Sequence, residues 1–362
     1  MLSHPDPLLE RARSSDDLLI RPGQLIDRLW GGAVDVLSDV LLAVRLTGAV
    51  FFDVEARSPF AAESPAMDAI ADRVMSGAGH VINFHTMTEG SCWAEVAGRP
   101  AAPPVHLRAG EIVLYPMGDA NILASAPGMR GQPDVTQYYR PPDRLLPFPM
   151  QMNPDSSAEK CRFVCGFFGC DSRPFNPLLS ALPRIVHSPI SVASRGWLES
   201  LIGVAVKESG HQAAGREAML AKLAELMFVE VLRSHIDRLP DDARGWFAGL
   251  RDPQIGAALR LIHGRPTEPW TLDALARETG LSRSSLAERF TTFVGTPPMS
   301  YLARWRLQIA ARLLETPSVS VAQAAAEVGY QSEAAFNRAF KRHTGAAPGA
   351  WRRERLNAPK PL

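Results

Sequence analysis

Two regimes of hydrophobic spacing divide this chain. Up to about residue 190 the apolar positions alternate or come in short runs. RLTGAVFFDVEA (45–56), HVINFHTMTEGSCWAEVAG (80–98), RAGEIVLYPMGD (108–119) and CRFVCGFFGC (161–170) are rich in Val, Ile and Phe and punctuated by Gly and Pro. Such runs predict the strands of a sandwich or barrel. The second run holds two of them around a turn at Glu89-Gly90. The polar, Pro-rich stretch 127–159 reads as a long loop, and FNPLLSALPRIVH (175–187) as the way out of the domain. From about residue 193 the apolar spacing becomes three and four. RGWLESLIGVAVKES (195–209) and GREAMLAKLAELMFVEVLRSHI (215–236) read as helices, and Met219, Leu223, Leu226, Val229 and Leu232 share one face of the second. The two helices either pack on the β domain or form a dimer surface. Leu239-Pro240-Asp241-Asp242 ends the second.

From about Asp252 nearly everything reads as helix, and one pattern is written twice. PWTLDALARETG (269–280) opens on Thr271 as N-cap and stops at Gly280; PSVSVAQAAAEVG (317–329) opens on Ser320 and stops at Gly329. Ala276 and Ala325 stand four residues before those glycines. Downstream, SRSSLAERFTTFVGTPPMSY (282–301) matches SEAAFNRAFKRHTGAAPGAW (332–351) at an offset of 50 residues. Ser282 answers Ser332, Leu286 answers Phe336, Phe290 answers Phe340, Gly295 answers Gly345, Pro298 answers Pro348 and Tyr301 answers Trp351. The second turn is one residue longer than the first. Each copy is a short helix with a small Ala, a Gly-containing turn and a Ser-capped second helix, which is the helix-turn-helix layout. Two copies are too few for a solenoid. YLARWRLQIAARLLE (301–315) lies between them as a rigid spacer. Successive major grooves on one face of B-DNA lie about 34 Å apart, so one monomer can reach two of them.

Length and charge sharpen this. At 362 residues the chain has room for two or three domains, and 46% hydrophobic with 21% charged residues is globular composition. No run of about 18 apolar residues predicts a membrane span, and the first residues lack the apolar core of a secretory signal, so the expected compartment is the cytoplasm. Four cysteines are too few for a disulfide framework here and read as thiols. The net charge of +1 conceals a division: residues 252–353 carry 13 Lys/Arg against 8 Asp/Glu, a net +5, leaving −4 for the rest. A basic block on a mildly acidic body predicts an anionic partner for the block, against the plainer reading of an ordinary solvated surface.

The run from PWTLDALARETGLSRSSLAERF to VGYQSEAAFNRAFKRHTGAAPGAWRR resembles the AraC/XylS family of transcription regulators over about a hundred residues. It includes the specific VGY-x-S-x-x-x-F-x-R-x-F-K-R signature. The resemblance implies a sequence-specific DNA-binding regulator, more often an activator, with double-stranded DNA and RNA polymerase as partners. Carried over by position, the first recognition helix presents Arg283, Ser284, Ala287 and Glu288 to the bases, and the second presents Glu333, Ala334, Asn337 and Arg338. Arg338 suits guanine and Asn337 adenine. Glu288 either accepts from cytosine or forms a salt bridge. Arg304, Arg306, Lys341, Arg342 and Arg352 read as phosphate contacts or plain solvated charges.

The first half, roughly 25–190, resembles the cupin-like sensor domain of one subgroup of these regulators. The whole then reads as α+β and multidomain: a cupin-like β-barrel effector domain over 1–190, a helical dimerisation or linker segment over 191–240, and an all-α DNA-binding domain over 252–353. The helix-turn-helix motifs fall at about 272–293 and 320–343. The resemblance implies an effector, a small molecule or a redox signal, and a homodimer. Metal-dependent cupin enzymes carry two His separated by one residue. Here the strand reads His80-Val-Ile-Asn-Phe-His85, and Asn121 stands where the subgroup usually has a His. Neither a metal nor another cofactor is therefore expected, nor an enzyme. His85, Cys92 and Cys165, with Asn121, form the alternative mixed metal set. Core thiols beside a strand-end His, or a redox site that includes Cys161 and Cys165, are the other readings. Cys161 and Cys165 lie four apart, about 13 Å along a strand, too far for a disulfide without a bulge. A repair alkyltransferase fused to such a block would need a Pro-Cys-His active site, and the sequence has none.

Overall fold

The structure is a computed structural model that describes residues 35–98, 103–141, 146–188, 204 and 214–357. The helix expected over 195–209 lies outside the described residues except for Val204. The strands are β1 (Thr47–Arg57), β2 (Ala61–Ser64), β3 (His80–Glu89), β4 (Ser91–Val96), β5 (Val105–Arg108), β6 (Ile112–Tyr115), β7 (Asn121–Ala124), β8 (Phe148–Met152), β9 (Lys160–Cys170) and β10 (Val186–Ser188). The helices are α1 (Val36–Ala43), α2 (Ala71–Val74), α3 (Pro177–Ala181), α4 (Arg216–Asp237), α5 (Trp246–Arg251), α6 (Pro253–Gly264), α7 (Leu272–Glu278), α8 (Arg283–Val294), α9 (Pro298–Leu314), α10 (Val321–Glu327), α11 (Glu333–Thr344) and α12 (Pro348–Asn357).

The strands form a six-stranded sheet, ordered β10-β6-β3-β9-β1-β8, and a four-stranded sheet, ordered β2-β7-β4-β5. The two sheets face one another across a shared apolar core and do not close by strand pairing among the described residues, so the cupin-like barrel takes the form of an open sandwich. Glu89-Gly90 is a turn, as the sequence implies, yet β3 and β4 belong to different sheets: at Gly90 (φ +72°) the chain steps across the sandwich rather than closing a hairpin. The stretch 127–159 is not all loop, because it contains β8 on the sheet edge, parallel to β1. Pro149 within FPMQM hid it, since Pro fits only where a backbone donor is not needed, as at an edge.

Both faces of the larger sheet are buried, which explains why β3 and β9 read as near-continuous apolar runs. One face of β9 turns Cys161, Phe163, Cys165 and Phe167 into the sandwich. The other turns Val164 and Phe168 toward α4. Leu220, Leu223, Ala224, Met227, Phe228, Val231 and Leu232 of α4 are buried, while Met219 and Leu226 are 46% and 51% exposed. The buried stripe is thus rotated from the face expected. It follows contact with the sheet, where the tight approach at Gly48 leaves its α-carbon facing the α4 backbone.

The apolar core under α4 continues without a break into the C-terminal helices, reaching Trp246, Leu259, Phe290, Trp305 and Trp351. Polar contacts reinforce the join. Gln308 of α9, 1% exposed, accepts from Phe175 N at 2.9 Å and donates to Ala43 O at 2.8 Å. Arg45 forks onto Asp171 with both contacts at 2.7 Å and reaches Glu315, the C-cap of α9, at 3.3 Å. Arg355 of α12 meets the same Asp171 at 3.1 Å. Tyr301 takes a hydrogen bond from Trp246 Nε1 at 3.0 Å and shares a second with His263 Nε2 at 2.9 Å. His263 Nδ1 then points toward Asp39 of α1, 3.6 Å away.

Candidate nucleic-acid interface and effector cavity

The two C-terminal units are built alike. In the first, Thr271 caps α7 by accepting from Ala274 N at 3.1 Å, and Ser282 caps α8 by accepting from Ser285 N at 3.2 Å. In the second, Ser320 and Gln323 form a reciprocal capping box on α10, and Ser332 accepts from Ala335 N at 3.2 Å to cap α11. The turns end the same way: Leu281 N bonds back to Ala276 O at 2.9 Å, and Tyr330 N to Ala325 O at 3.0 Å, with Gly280 at φ +68° and Gly329 at φ +80°. This six-to-one closure uses the left-handed glycine to satisfy orphan carbonyls. Leu286, Phe290, Phe336 and Phe340 are fully buried, so the opposite faces of α8 and α11 look outward. Between the units runs α9, whose 17 residues span about 25 Å.

On those outward faces Arg283, Ser284, Glu288, Glu333, Ala334 and Arg338 are exposed, and Ala287 and Asn337 are half-buried. Arg283 lies 3.8 Å from Asp273, an ion pair with both partners in solvent. Glu288 makes no ion pair among the described residues. Lys341 and Arg342 stand exposed in the last turn of α11. The other cations noted in the sequence are engaged within the molecule. Arg306 donates from Nε to Pro266 O at 2.6 Å and from Nη2 to Glu268 O at 2.7 Å. Arg304 lies over the Phe175 ring at 4.4 Å, and Arg352 donates to Pro317 O at 2.5 Å. Arg289 was not singled out in the sequence. It bonds Gln254 and, at 2.8 Å, Asp252, and so anchors α8 on the start of α6. Its period from Ser285 places it off the outward face, a signal that spacing alone could have supplied.

Within the sandwich, β3, β7 and β9 bring three of the noted residues together. Asn121 donates from Nδ2 to Asp119 O at 3.2 Å, which turns its Oδ1 toward His85. His85 Nε2–H donates to that oxygen at 2.8 Å, leaving Nδ1 to accept from the Cys165 thiol at 2.9 Å. Burial holds His85 well below its ordinary pKa, down to about 4, against the smaller raising effect of Asn121, so the ring is neutral at pH 7. Burial pushes the Cys165 and Cys92 thiols up, and Cys161 and Cys170 up to about 11 and about 12. Buried thiols of this kind are chemically quiet.

Cys92 turns its sulfur to Met87 Sδ at 3.5 Å. Cys161 and Cys92 line a separate, polar cleft with Trp93 and His106, whose rings stack at 4.7 Å. The mixed set of His85, Cys92 and Cys165 does not fit a metal: both His85 nitrogens are engaged and Cys92 points elsewhere. No group of three or more His, Cys, Asp or Glu among the described residues is placed to hold one.

His85 and Cys165 form part of the floor of a cavity of about 110 Å³ between the sheets. Phe52, Phe163 and Phe167 contribute its walls, and Gln132 and Gln137, both exposed, stand at its mouth. A bulge in β1 between Val50 and Phe52 allows two successive rings, Phe51 and Phe52, to be buried on the core side. Asn83, two residues before His85 on β3, shares its inward face and also lines the cavity. Period-two spacing from His85 could have found it.

A cupin family model matches residues 35–237, and a helix-turn-helix domain model matches residues 275–354. An AraC-like transcription regulator of Streptomyces lividans is 33% identical over 276 residues, covering 76% of this chain and 88% of its own. The HTH-type transcriptional regulator AlkR of Acinetobacter baylyi is 29% identical over 324 residues, covering 89% of this chain and 100% of its own. The crystal structure of the DNA-binding domain of AdpA with a target DNA aligns at 30% identity over 28% of this chain and 91% of that one, with a TM-score of 0.27.

Proposed function

This chain belongs to the AraC family of DNA-binding transcription regulators, and we propose that it is an effector-responsive activator that reads two successive major grooves with α8 and α11. The observation that carries this reading is the matched pair of units on either side of α9, each with an outward recognition-helix face held by buried Leu or Phe. The reading takes Arg283, Ser284, Ala287 and Glu288 on α8, and Glu333, Ala334, Asn337 and Arg338 on α11, as the base-facing set. Lys341 and Arg342 take the phosphate role. Arg304, Arg306 and Arg352 are assigned to holding the helices together, because their guanidiniums already contact neighbours within the molecule. A homodimer is assigned to the exposed Met219 and Leu226, one heptad apart on α4. RNA polymerase is the further partner, the cytoplasm the compartment, and no catalysis is assigned. No helix among the described residues is long and apolar enough to cross a membrane.

The cavity between the sheets is the effector site, with His85, Asn121 and Cys165 fixing its floor. A small molecule is favoured over a redox signal because all four thiols are buried.

Arg338→Ala tests the base assignment by fluorescence anisotropy on an operator defined by footprinting and on scrambled DNA. The expected result is loss of the difference between the two, with weak binding to both retained. Unchanged operator affinity rejects the assignment. The footprint itself tests the two-groove geometry: two protected stretches about 10 bp apart per monomer are expected, and protection confined to one groove rejects it.

A further inference from the structure

The cavity between the sheets has a definite chemical character. It is small, about 110 Å³. Apolar cavities on the order of 150 Å³ accept benzene. The enclosed part of an occupant is thus on the scale of one ring or a short branched chain, with room for a polar group toward the mouth. The walls are aromatic and aliphatic, which suits an apolar body.

The cavity is also without free charge. Its carboxylate, Glu63, is held by Arg130, with Nε at 2.9 Å, and by Gly131 N at 3.2 Å. His85 has spent its one ring proton on Asn121 and its lone pair on Cys165. A carboxylate or ammonium ligand would find no counter-charge, and a buried unpaired charge is expensive.

One polar group, however, lacks a partner. Asn83 is 1% exposed, lines the cavity, and its Oδ1 has no hydrogen bond. A buried acceptor left unpaired is costly, and a matching ligand recovers that cost. The unpartnered atom is an acceptor, which a ligand hydroxyl answers by donating.

From these features we propose that the sandwich binds a small uncharged hydroxyl compound, a phenol or a ring-sized alcohol, with its hydroxyl on the Asn83 amide and its apolar body among Phe52, Phe163 and Phe167. This rests on reading the cavity as the effector site. The ligand class accounts at once for the size, the missing counter-charge and the unpaired amide.

The test uses the full-length protein and isothermal titration with four probes: phenol, anisole, benzene and benzoate. Phenol is expected to bind at least tenfold more tightly than anisole or benzene, which lack the donor, and benzoate is expected not to bind. In Asn83→Leu the preference for phenol over benzene is expected to vanish, while apolar binding persists. Because the four-probe series is read on the unaltered protein, a folding defect in the variant cannot mask the result. Equal binding of phenol and benzene to the unaltered protein overturns the hydroxyl assignment. Binding of benzoate as tightly as phenol overturns the uncharged class, and absence of all binding overturns the ligand assignment. Operator binding by the same preparation separates this from the regulator reading: protein that grips its operator yet ignores every probe sinks only the ligand assignment, while protein that binds no operator sinks the regulator reading instead.

Discussion

Gly280 and Gly329 occupy equivalent turns but different surroundings. Both sit in left-handed backbone, where an added Cβ costs about 1–2 kcal/mol. A Cβ on Gly280 would meet nothing within 4 Å, whereas one on Gly329 would stand 3.0 Å from Thr267 O and 3.4 Å from the Arg306 guanidinium. Gly280→Ala is therefore expected to lower unfolding free energy by about 1 kcal/mol and Gly329→Ala by about 2–3 kcal/mol, since it adds displacement of a neighbour to the backbone penalty. Urea melts of the two variants check the order; equal losses would refute the crowding at Gly329. His85 offers a second test. Its folded-state pKa is depressed to about 4 from an ordinary 6.5, so the unfolded chain binds more protons between those values. The stability His85 lends is complete above about pH 6.5 and drains as pH falls toward 4, by about 3 kcal/mol at the lower end. His85→Gln should flatten the melting-temperature profile across that window and leave it unchanged above pH 7. A variant profile as steep as the parent's would show that the ring is not buried neutral.

At the scale of elements, the helical punctuation was the most legible part of the chain. Thr271, Ser282, Ser320 and Ser332 all cap where their spacing places them, because capping is decided within four residues and needs no tertiary context. The strands were legible as runs but not as partners. Glu89-Gly90 looks like a hairpin because turn chemistry is local, while the sheet each strand joins is set by distant packing. β8 escaped notice for the same reason, its Pro149 being tolerated only by its place at an edge. The α4 stripe was legible as a helix and misjudged in phase, since residues on both sides of the apolar arc are hydrophobic and contact with the sheet alone decides which go inside. In the cavity, His85 and Cys165 stood out by chemistry, but Asn83 did not, because an amide carries no signal until its surroundings are dry. Lys341 belongs to this scale as well. It lies at the end of α11, where it can meet phosphate without reading bases. Lys341→Ala should weaken operator and scrambled DNA alike and reduce the salt slope of log K by about 1. Loss confined to the operator would move Lys341 into the base-reading set.

At the scale of the molecule, the sheet and helical halves meet through groups that neither half can satisfy alone. Gln308→Leu keeps the volume on α9 but leaves Phe175 N and Ala43 O without partners, at a cost of about 2–4 kcal/mol. The expected readout is a lowered melting temperature together with faster proteolysis between the halves. A variant as resistant as the parent would mean that the apolar contact alone holds the join. The sharing of Asp171 between Arg45 and Arg355 has an engineering consequence as well. Regulators of this build invite chimaeras in which one sensor is transplanted onto another reader. Here the seam does not follow the chain's linear division: the reader's anchor points are scattered over the segment at α1 and the segment after β9. A transplant cut at a single linker would strand Gln308, Glu315 and Arg355 against a foreign surface. One that carries residues 36–45 and 170–176 along with the helices would keep every partner in place.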